Sequence, residues 1–392
     1  MTQILKGGVQ KTNREPIPTH RVSKDTKGNW HVYGFDEARQ VLRSDVTTQA
    51  GFLAETVRGV KGLSNQPVLF MDGEEHRTYR SEVAKYFSPT TVEKYRPMME
   101  QFVDAFLKDA VQKKTINLSE ISLRIAVRVA GQVVGLTESD PDKMSERLEA
   151  FFQQDPSREA PKWIQIVRFL QNQVKLFRFY NQDVKPAVKA RMKTPKEDVI
   201  SHTLGKGYSS MEVLTECITY GAAGMVTTRE FIQVAAWHLL EHPRLKDRYL
   251  VASEKERMAI LGEILRLEPV VGQLFRRMQG DLELQSDNQI FPLKKGDLVV
   301  LHVYGANEDT CTVGEQPREV CPHRDLPRGV QAQVMSFGDG HHRCPGAFLA
   351  LQETDIFLTR FLKLPVKFKA PQMTWNELIQ GYELRNFQLE IG

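Results

Sequence analysis

The chain has 392 residues, a formal net charge of +4, 41% apolar and 26% charged residues, the balance of a globular protein with a large core. The basic excess is small and scattered, which argues against a nucleic-acid partner. No run reaches the ~18–20 apolar residues of a membrane span and Met1 to Glu15 lacks a signal peptide's apolar core, so a cytoplasmic protein without a membrane anchor is expected.

Four cysteines, Cys217, Cys311, Cys321 and Cys344, are expected to be free thiols, because a chain this long needs no disulfide staples. There is no Gly/Ser- or Pro-rich linker, low-complexity tract or repeat, so 1–392 is expected to form a single domain. Its texture is mainly α with a minor β portion, in β-containing parts at about 25–45, 272–305 and 365–392.

In chain order, "NWHVYG" predicts a short strand and "FDEARQVLRS" a helix. Helical patterns follow in "EEHRTYRSEVAKYF", "TTVEKYRPMMEQFVDAFLKDAV" and "LSEISLRIAVRVAGQVVG", and again over 141–192. The last contains a block, Trp163 to Tyr180, whose aromatic residues alternate with Lys162, Arg168, Lys175 and Arg178. It reads as a lid over an apolar pocket or as a segment lying on a membrane. Met211 to Glu241 is the longest uninterrupted pattern, opened by a Ser209/Glu212 capping box and closed before Pro243. At about 31 residues it would run roughly 46 Å, the width of a domain. From about Gly272 short β runs take over. A loop (Glu308 to Met335), a helix (Pro345 to Leu362) and terminal strands complete the chain.

The long helix carries an anomaly in "YGAAGMVTTREF". Gly221 and Gly224 each cost about 1 kcal/mol against alanine inside a helix. Thr227 and Thr228 follow, and mid-helix threonine hydroxyls back-bond to carbonyls and bend the helix. Gly224 and Thr227 share a face at i, i+3. Such a helix leaves room for something flat or small; tight helix–helix packing is the other reading. Glu263 with Arg266, and His76 with Arg80, are pairs at helical spacing that usually mark a solvated face.

The segment "SFGDGHHRCPGAF", Ser336 to Phe348, places glycines before Cys344 where backbone turns would forbid a side chain. Pro345 suits the first position of a helix, which would set the sulfur near the helix dipole and lower its pKa toward the thiolate. Three readings follow: a structural cysteine, a zinc site with Cys311, Cys321 and His323, or a thiolate ligand to haem iron. Zinc spacing is poor, since only Cys321 and His323 lie close together.

"FGDGHHRCPG" resembles the haem-ligand signature of the cytochrome P450 family, complete at Phe337, Gly340, Cys344 and Gly346. "DGEEHRTYR", "AAGMVTT", "EILR" and "RRMQGDLEL" resemble further family elements in the same order, so the likeness runs from about Trp30 to the C-terminus. The resemblance implies the P450 fold and haem b, with Cys344 as iron ligand. His76, Arg80, Arg277 and His342 would hold the propionates, Phe337 would pack beside the sulfur, and Gly346 would let backbone approach the ring. Glu263, Arg266 and Arg324 would form a buried ion network under the cysteine loop. The loop Asn307 to Pro322 is longer than the resemblance leads one to expect, which weakens the placement of Arg324.

Gly224, Val226, Thr227 and Thr228 fall on the family's oxygen-activating groove, with Thr227 as the proton-relaying hydroxyl. Val226 departs from the pattern, which has an acidic residue there. Glu230, a water chain or the substrate would then supply protons, or the enzyme would use peroxide; peroxide-using relatives generally carry an Arg-Pro pair that this chain lacks. The implied activity is monooxygenation of a small to medium apolar substrate by a monomeric enzyme fed by NAD(P)H through a ferredoxin or flavodoxin and its reductase, docking at Arg77, Lys85 and Arg343. Substrate contacts are expected from Gly51 to Leu69, Phe151 to Tyr180, Tyr220 to Ala223, Val270 to Phe275 and Ile379 to Tyr382.

Overall fold

A computed structural model describes residues 10–13, 16–52, 54, 58, 65–152, 162–377 and 379–392; of Ala222 and of residues 151–152 and 162–169 only the backbone is described. The chain is mostly helical with small sheets, as its patterning predicts. The helix Pro89–Lys113 starts on a proline behind the cap Ser88, which accepts from the Thr91 N–H. Leu118–Val134 starts behind Asn117, whose side chain accepts from the Glu120 N–H.

The long central helix opens with the expected box: Ser209 and Glu212 cap each other's backbone. It does not run unbroken. Ser210–Tyr220 and Thr227–Glu241 are α-helical, and Gly221–Val226 between them is a π-helical turn. Two glycines and a threonine back-bond weaken the α ladder here, and the chain takes up the slack in the wider turn. The C-terminal half packs against Leu118–Val134, Glu254–Leu267 and Ala347–Phe361, burying Ile232, Val234, Ala235 and Ala236 completely. This four-helix contact is the core that supports the site.

The main sheet has five strands in the order Val22–Lys24, Trp30–Val32, Leu298–His302, Gln273–Met278, Thr47–Gln49. Gln273–Met278 pairs antiparallel with both neighbours, Arg277 facing Leu298 on one side and Thr48 on the other. A strand the sequence reading did not place, Thr115–Asn117, pairs with Gln388–Ile391. The last helix spans Ala347–Phe361, not Pro345 to Leu362, with Gly346 as its cap. Among the described residues no helix is long and apolar enough to cross a membrane.

Candidate active site

The π turn, the segment Pro67 to Phe70, the strand Gln273–Met278 and the cysteine loop enclose a cavity of about 1400 Å³. Phe337, Gly338, Cys344 and Gly346 lie along its cysteine side. Gly338 and Gly340 both adopt positive φ, 68° and 67°, as the sequence requires of them. A Cβ on Gly340 would lie 2.2 Å from the Leu42 carbonyl oxygen, so only glycine fits. Asp339 is tied to Arg39 and Arg43, and the Cys344 N–H donates to the Phe337 carbonyl at 2.9 Å. The sulfur is therefore set by a loop closed on itself.

Two expectations about this junction need correcting. Pro345 precedes the helix instead of opening it, because Gly346 takes the capping position. The Cys344 thiol is pushed up, not down: burial dominates, against the Gly346 N–H, Arg80 and Arg343. Cys344 is exposed toward the cavity, so the desolvation is that of the enclosing walls, which a helix terminus and two guanidinium groups do not outweigh. The zinc reading also falls, since no three His, Cys, Asp or Glu side chains converge among the described residues. Cys311 is exposed, and His323 faces Arg248 and Glu256.

Under the loop, Glu263 and Arg266 are fully buried and paired at 2.8 and 3.0 Å. Arg324 joins them, its guanidinium 3.1 Å from Glu263 Oε2. Arg266 also donates to the carbonyls of Asn307, Pro317 and Glu319, and Arg324 to those of Val313 and Glu319. The long loop thus wraps its carbonyls around both guanidinium groups. Asn307, which the sequence reading missed, carries the connection upward. It donates to Arg266 O and Ser336 Oγ and accepts from the Met335 N–H.

On one side of the cavity lie His76, Arg80, Arg276 and His342. The His76 and His342 rings stack at 4.1 Å. His76 Nδ1 is buried without a protein partner, and burial, followed by His342, Arg80 and neighbouring cations, pushes this histidine down to about 3. Arg80 donates to the Arg343 carbonyl, and His342 Nε2 lies 3.3 Å from Asp72. Arg277 does not face the cavity; it donates to the Gly296 carbonyl. The cavity-facing guanidinium is that of Arg276, bonded to Gln49 and the Phe275 carbonyl and lowered to about 10 by burial. Strand side chains alternate faces, so a shift of one residue in "FRRM" swaps the two arginines.

Gly224, Val226, Thr227 and Thr228 all line the cavity. Thr227 Oγ1 donates to the Ala223 carbonyl at 2.5 Å, across the π turn. A Cβ on Gly224 would meet only Ala130 Cβ, at 3.7 Å. Tight packing therefore does not account for this glycine. Glu230 points elsewhere. Fully buried, it accepts from Arg229, Arg385 and the Leu384 N–H at 2.7–2.8 Å, and it does not line the cavity. That excludes it as the direct proton donor the sequence reading offered.

Every expected substrate segment reaches the cavity: Gly51, Phe52 and Pro67 to Leu69; Gln171, Asn172 and Lys175; Tyr220 and Ala223; Val270, Val271, Leu274 and Phe275; Ile379 and Gln380. Residues 53, 55–57, 59–64 and 153–161 lie outside the described residues, as do the side chains of Lys162, Trp163 and Arg168. Lys175 donates to the Ala150 carbonyl. Two of the buried carboxylates that were missed bear on the cavity: Glu353, which lines it, and Glu216, which holds the Val68 amide of its wall. Both occupy helical positions that read as polar surface, and only tertiary packing hides them.

The profile of the cytochrome P450 family matches residues 258–373. The chain is 24% identical over 375 residues to the biotin biosynthesis cytochrome P450 of Bacillus subtilis, covering 93% of this chain and 90% of that protein. It is 27% identical to the cytochrome P450 monooxygenase PikC of Streptomyces venezuelae, covering 93% and 86%. Among solved structures, CalO2 superimposes with a TM-score of 0.78 at 21% identity, covering 95% of this chain and 93% of that one.

Proposed function

The chain belongs to the cytochrome P450 family of oxidoreductases, and we propose that it inserts one atom of O2 into a small to medium apolar organic substrate. The observation that carries this reading is Cys344, held by a closed glycine loop on a large cavity that is also lined by the π turn and by Thr227, the residue that follows it. The residues present fit a haem. Cys344 offers the sulfur, Gly346 has open space where a Cβ would stand, Arg80 and Arg276 supply positive charge, and His76 and His342 add neutral imidazoles, one with an unpartnered nitrogen. Those four would hold the carboxylates by charge-assisted hydrogen bonds, and Phe337 would pack beside the sulfur. A thiolate-ligated haem supplies electron density that favours heterolysis of an O–O bond.

The remaining work falls to side chains of this protein. Thr227 holds a proton at Oγ1 and parks it on the Ala223 carbonyl; rotation about its Cα–Cβ bond aims that proton into the cavity. Val226 can neither give nor take one, and Glu230 is fixed as an ion-paired carboxylate. Resupply therefore comes from water or from the substrate. The same two facts favour a second reading, in which peroxide brings both oxygens already reduced. Electrons would come from NAD(P)H through a ferredoxin or flavodoxin and its reductase. Exposed Arg77, Lys85 and Arg343 offer that acidic partner a basic face. The relatives include an erythromycin C-12 hydroxylase of Saccharopolyspora erythraea, which supports a tailoring role in secondary metabolism. The reading takes 1–392 as one catalytic domain of a cytoplasmic monomer.

The test is the reduced, CO-bound spectrum of the purified protein. The strongly red-shifted Soret band of thiolate ligation is expected, and Cys344→Ala should abolish it; a histidine-type band in fresh, folded protein would refute the assignment. Product formed with NAD(P)H and a surrogate reductase supports the oxygen-dependent reading, and product formed only with peroxide supports the second.

A further inference from the structure

The segment 65–70 forms one wall of the cavity through Pro67, Val68, Leu69 and Phe70. It belongs to none of the sheets, and charged side chains fix its backbone. Arg58 donates to the Phe70 carbonyl at 3.1 and 3.2 Å while binding Asp72. At the other end Glu212 Oε1 accepts from Asn65, through its N–H at 2.6 Å and its Nδ2 at 3.1 Å. One turn along the same face of the central helix, Glu216 Oε1 accepts the Val68 N–H at 3.0 Å.

Glu216 differs from Glu212 in its surroundings. It is 1% exposed, and its Oε2 has no protein partner. An ionised carboxylate in such a place is costly unless something holds the charge. The facing groups supply no cation. Tyr79 comes from the helix Gly73–Val83 and turns its hydroxyl toward the carboxylate, and Tyr208 comes from the turn before the central helix. Cys217 and Tyr220 lie on the central helix itself. Behind Tyr79, Glu82 pairs with His202 and Lys206, and Arg80 acts on Tyr220. From the wall segment only the Val68 amide reaches the carboxylate.

We propose that Glu216 is a positioning residue for the substrate wall: ionised, it pulls in the Val68 amide and fixes the turn Val68–Phe70; protonated, it slackens that turn. The idea rests on reading the cavity as the substrate chamber, but its physics is local. A hydrogen bond to an ionised acceptor is roughly twice as strong as one to a neutral acceptor. Burial raises Glu216 to about 7, against the Val68 N–H and the Tyr79 hydroxyl. The two states therefore exchange near neutral pH, with the tight wall on the alkaline side.

The test is hydrogen exchange read by mass spectrometry on the full-length, haem-loaded protein, in overlapping peptides that isolate the Val68 amide. Rates are corrected for the intrinsic pH dependence of exchange. Wild type should protect Val68 roughly three- to tenfold more at pH 8 than at pH 6, the span expected of a charge-assisted over a neutral bond. Glu216→Gln keeps a carbonyl acceptor and should hold the pH 6 level at both pH values. Glu216→Leu should lose protection at both, with core amides in Leu118–Val134 unchanged. Should the leucine variant fail to fold, the glutamine variant decides alone. Wild-type protection that ignores pH, or a glutamine variant that still follows it, would overturn the proposal. The haem spectrum tests the parent reading separately, because this exchange does not depend on turnover.

Discussion

Under the cysteine loop, the Glu263 ion network is paired several times over, although Glu308 and Glu319 beside it each keep one buried oxygen without a protein partner. The two oxygens of Glu263 take donors from Arg266, Arg324 and the Cys321 N–H, and Asn307 spends its whole amide between helix and loop. Across the cavity, the wall built from the Pro67 to Phe70 segment and the central helix is different. Gln66, Tyr79, Glu216 and Tyr220 each hold a buried polar atom without a protein partner, and the helix itself is opened into a π turn. A satisfied network fixes one geometry, whereas unpaired polar groups and a weakened ladder leave neighbouring states within reach. On the proposed reading, the cysteine side would need one position for the sulfur. The opposite wall, if it faces substrate as proposed, would gain from being able to adjust.

The largest effect should come from breaking the rigid side. Removing one partner of a buried ion pair typically costs about 3–5 kcal/mol, because the other charge is stranded. Glu263→Ala strands both Arg266, which is fully buried, and Arg324. Expression should give little folded, haem-loaded protein, measured by the ratio of Soret to protein absorbance. Glu216→Ala on the soft side should leave that ratio close to wild type. Equal losses from both would erase the contrast between the two regions.

The sequence discloses the rigid side well and the soft side poorly, for one physical reason. Glycines with forced positive φ, a capping box and a Glu-x-x-Arg pair are local rules, visible in a few adjacent residues. Gly338, Gly340 and Ser209 accordingly stand where their types predict; Glu263 pairs with Arg266 at the expected spacing, but spacing alone reads as a solvated face, and its complete burial is implied only by the family resemblance. Burial of Glu216 and Glu353 is not local: each sits on an ordinary helix and is hidden by segments more than a hundred residues away, or by the cavity itself. The register of Gln273–Met278 is set by pairing with Thr47–Gln49 and Leu298–His302, so "FRRM" alone cannot say which arginine turns inward. The rise of the Cys344 thiol has the same origin, since a helix terminus can be read from sequence and desolvation cannot.

That strand gives a sharper second test. Arg276 is 3% exposed and faces the cavity, whereas Arg277 bonds the Gly296 carbonyl near the surface. Loss of a buried charge-assisted contact to a carboxylate costs about 1.5–3 kcal/mol, a factor of roughly ten to a hundred in binding. Arg276→Leu should therefore speed haem transfer to apomyoglobin by about that factor. Arg277→Leu should change it less than about threefold. The reverse ranking would restore the assignment read from sequence.

A third test concerns Glu353, the one buried carboxylate that lines the cavity on the cysteine helix. Its Oε1 has no protein partner, and burial alone raises its pKa to about 8. With a folded pKa above the ordinary value of 4.5, the native state holds this proton more tightly than the unfolded chain does. The resulting stability is fully present below about pH 4.5 and is lost as pH rises through about 8. Glutamine at this position is neutral throughout, so Glu353→Gln cannot lose what wild type loses. Melting temperatures of the two proteins should nearly coincide at pH 5 and separate by a few degrees at pH 9, with the variant the more stable. A gap of one size at every pH would mean that Glu353 is ionised in the fold and is paired with something in the cavity. Its wall would then belong with the satisfied network around the cysteine, and the boundary between rigid and soft regions would move across the cavity to the π turn.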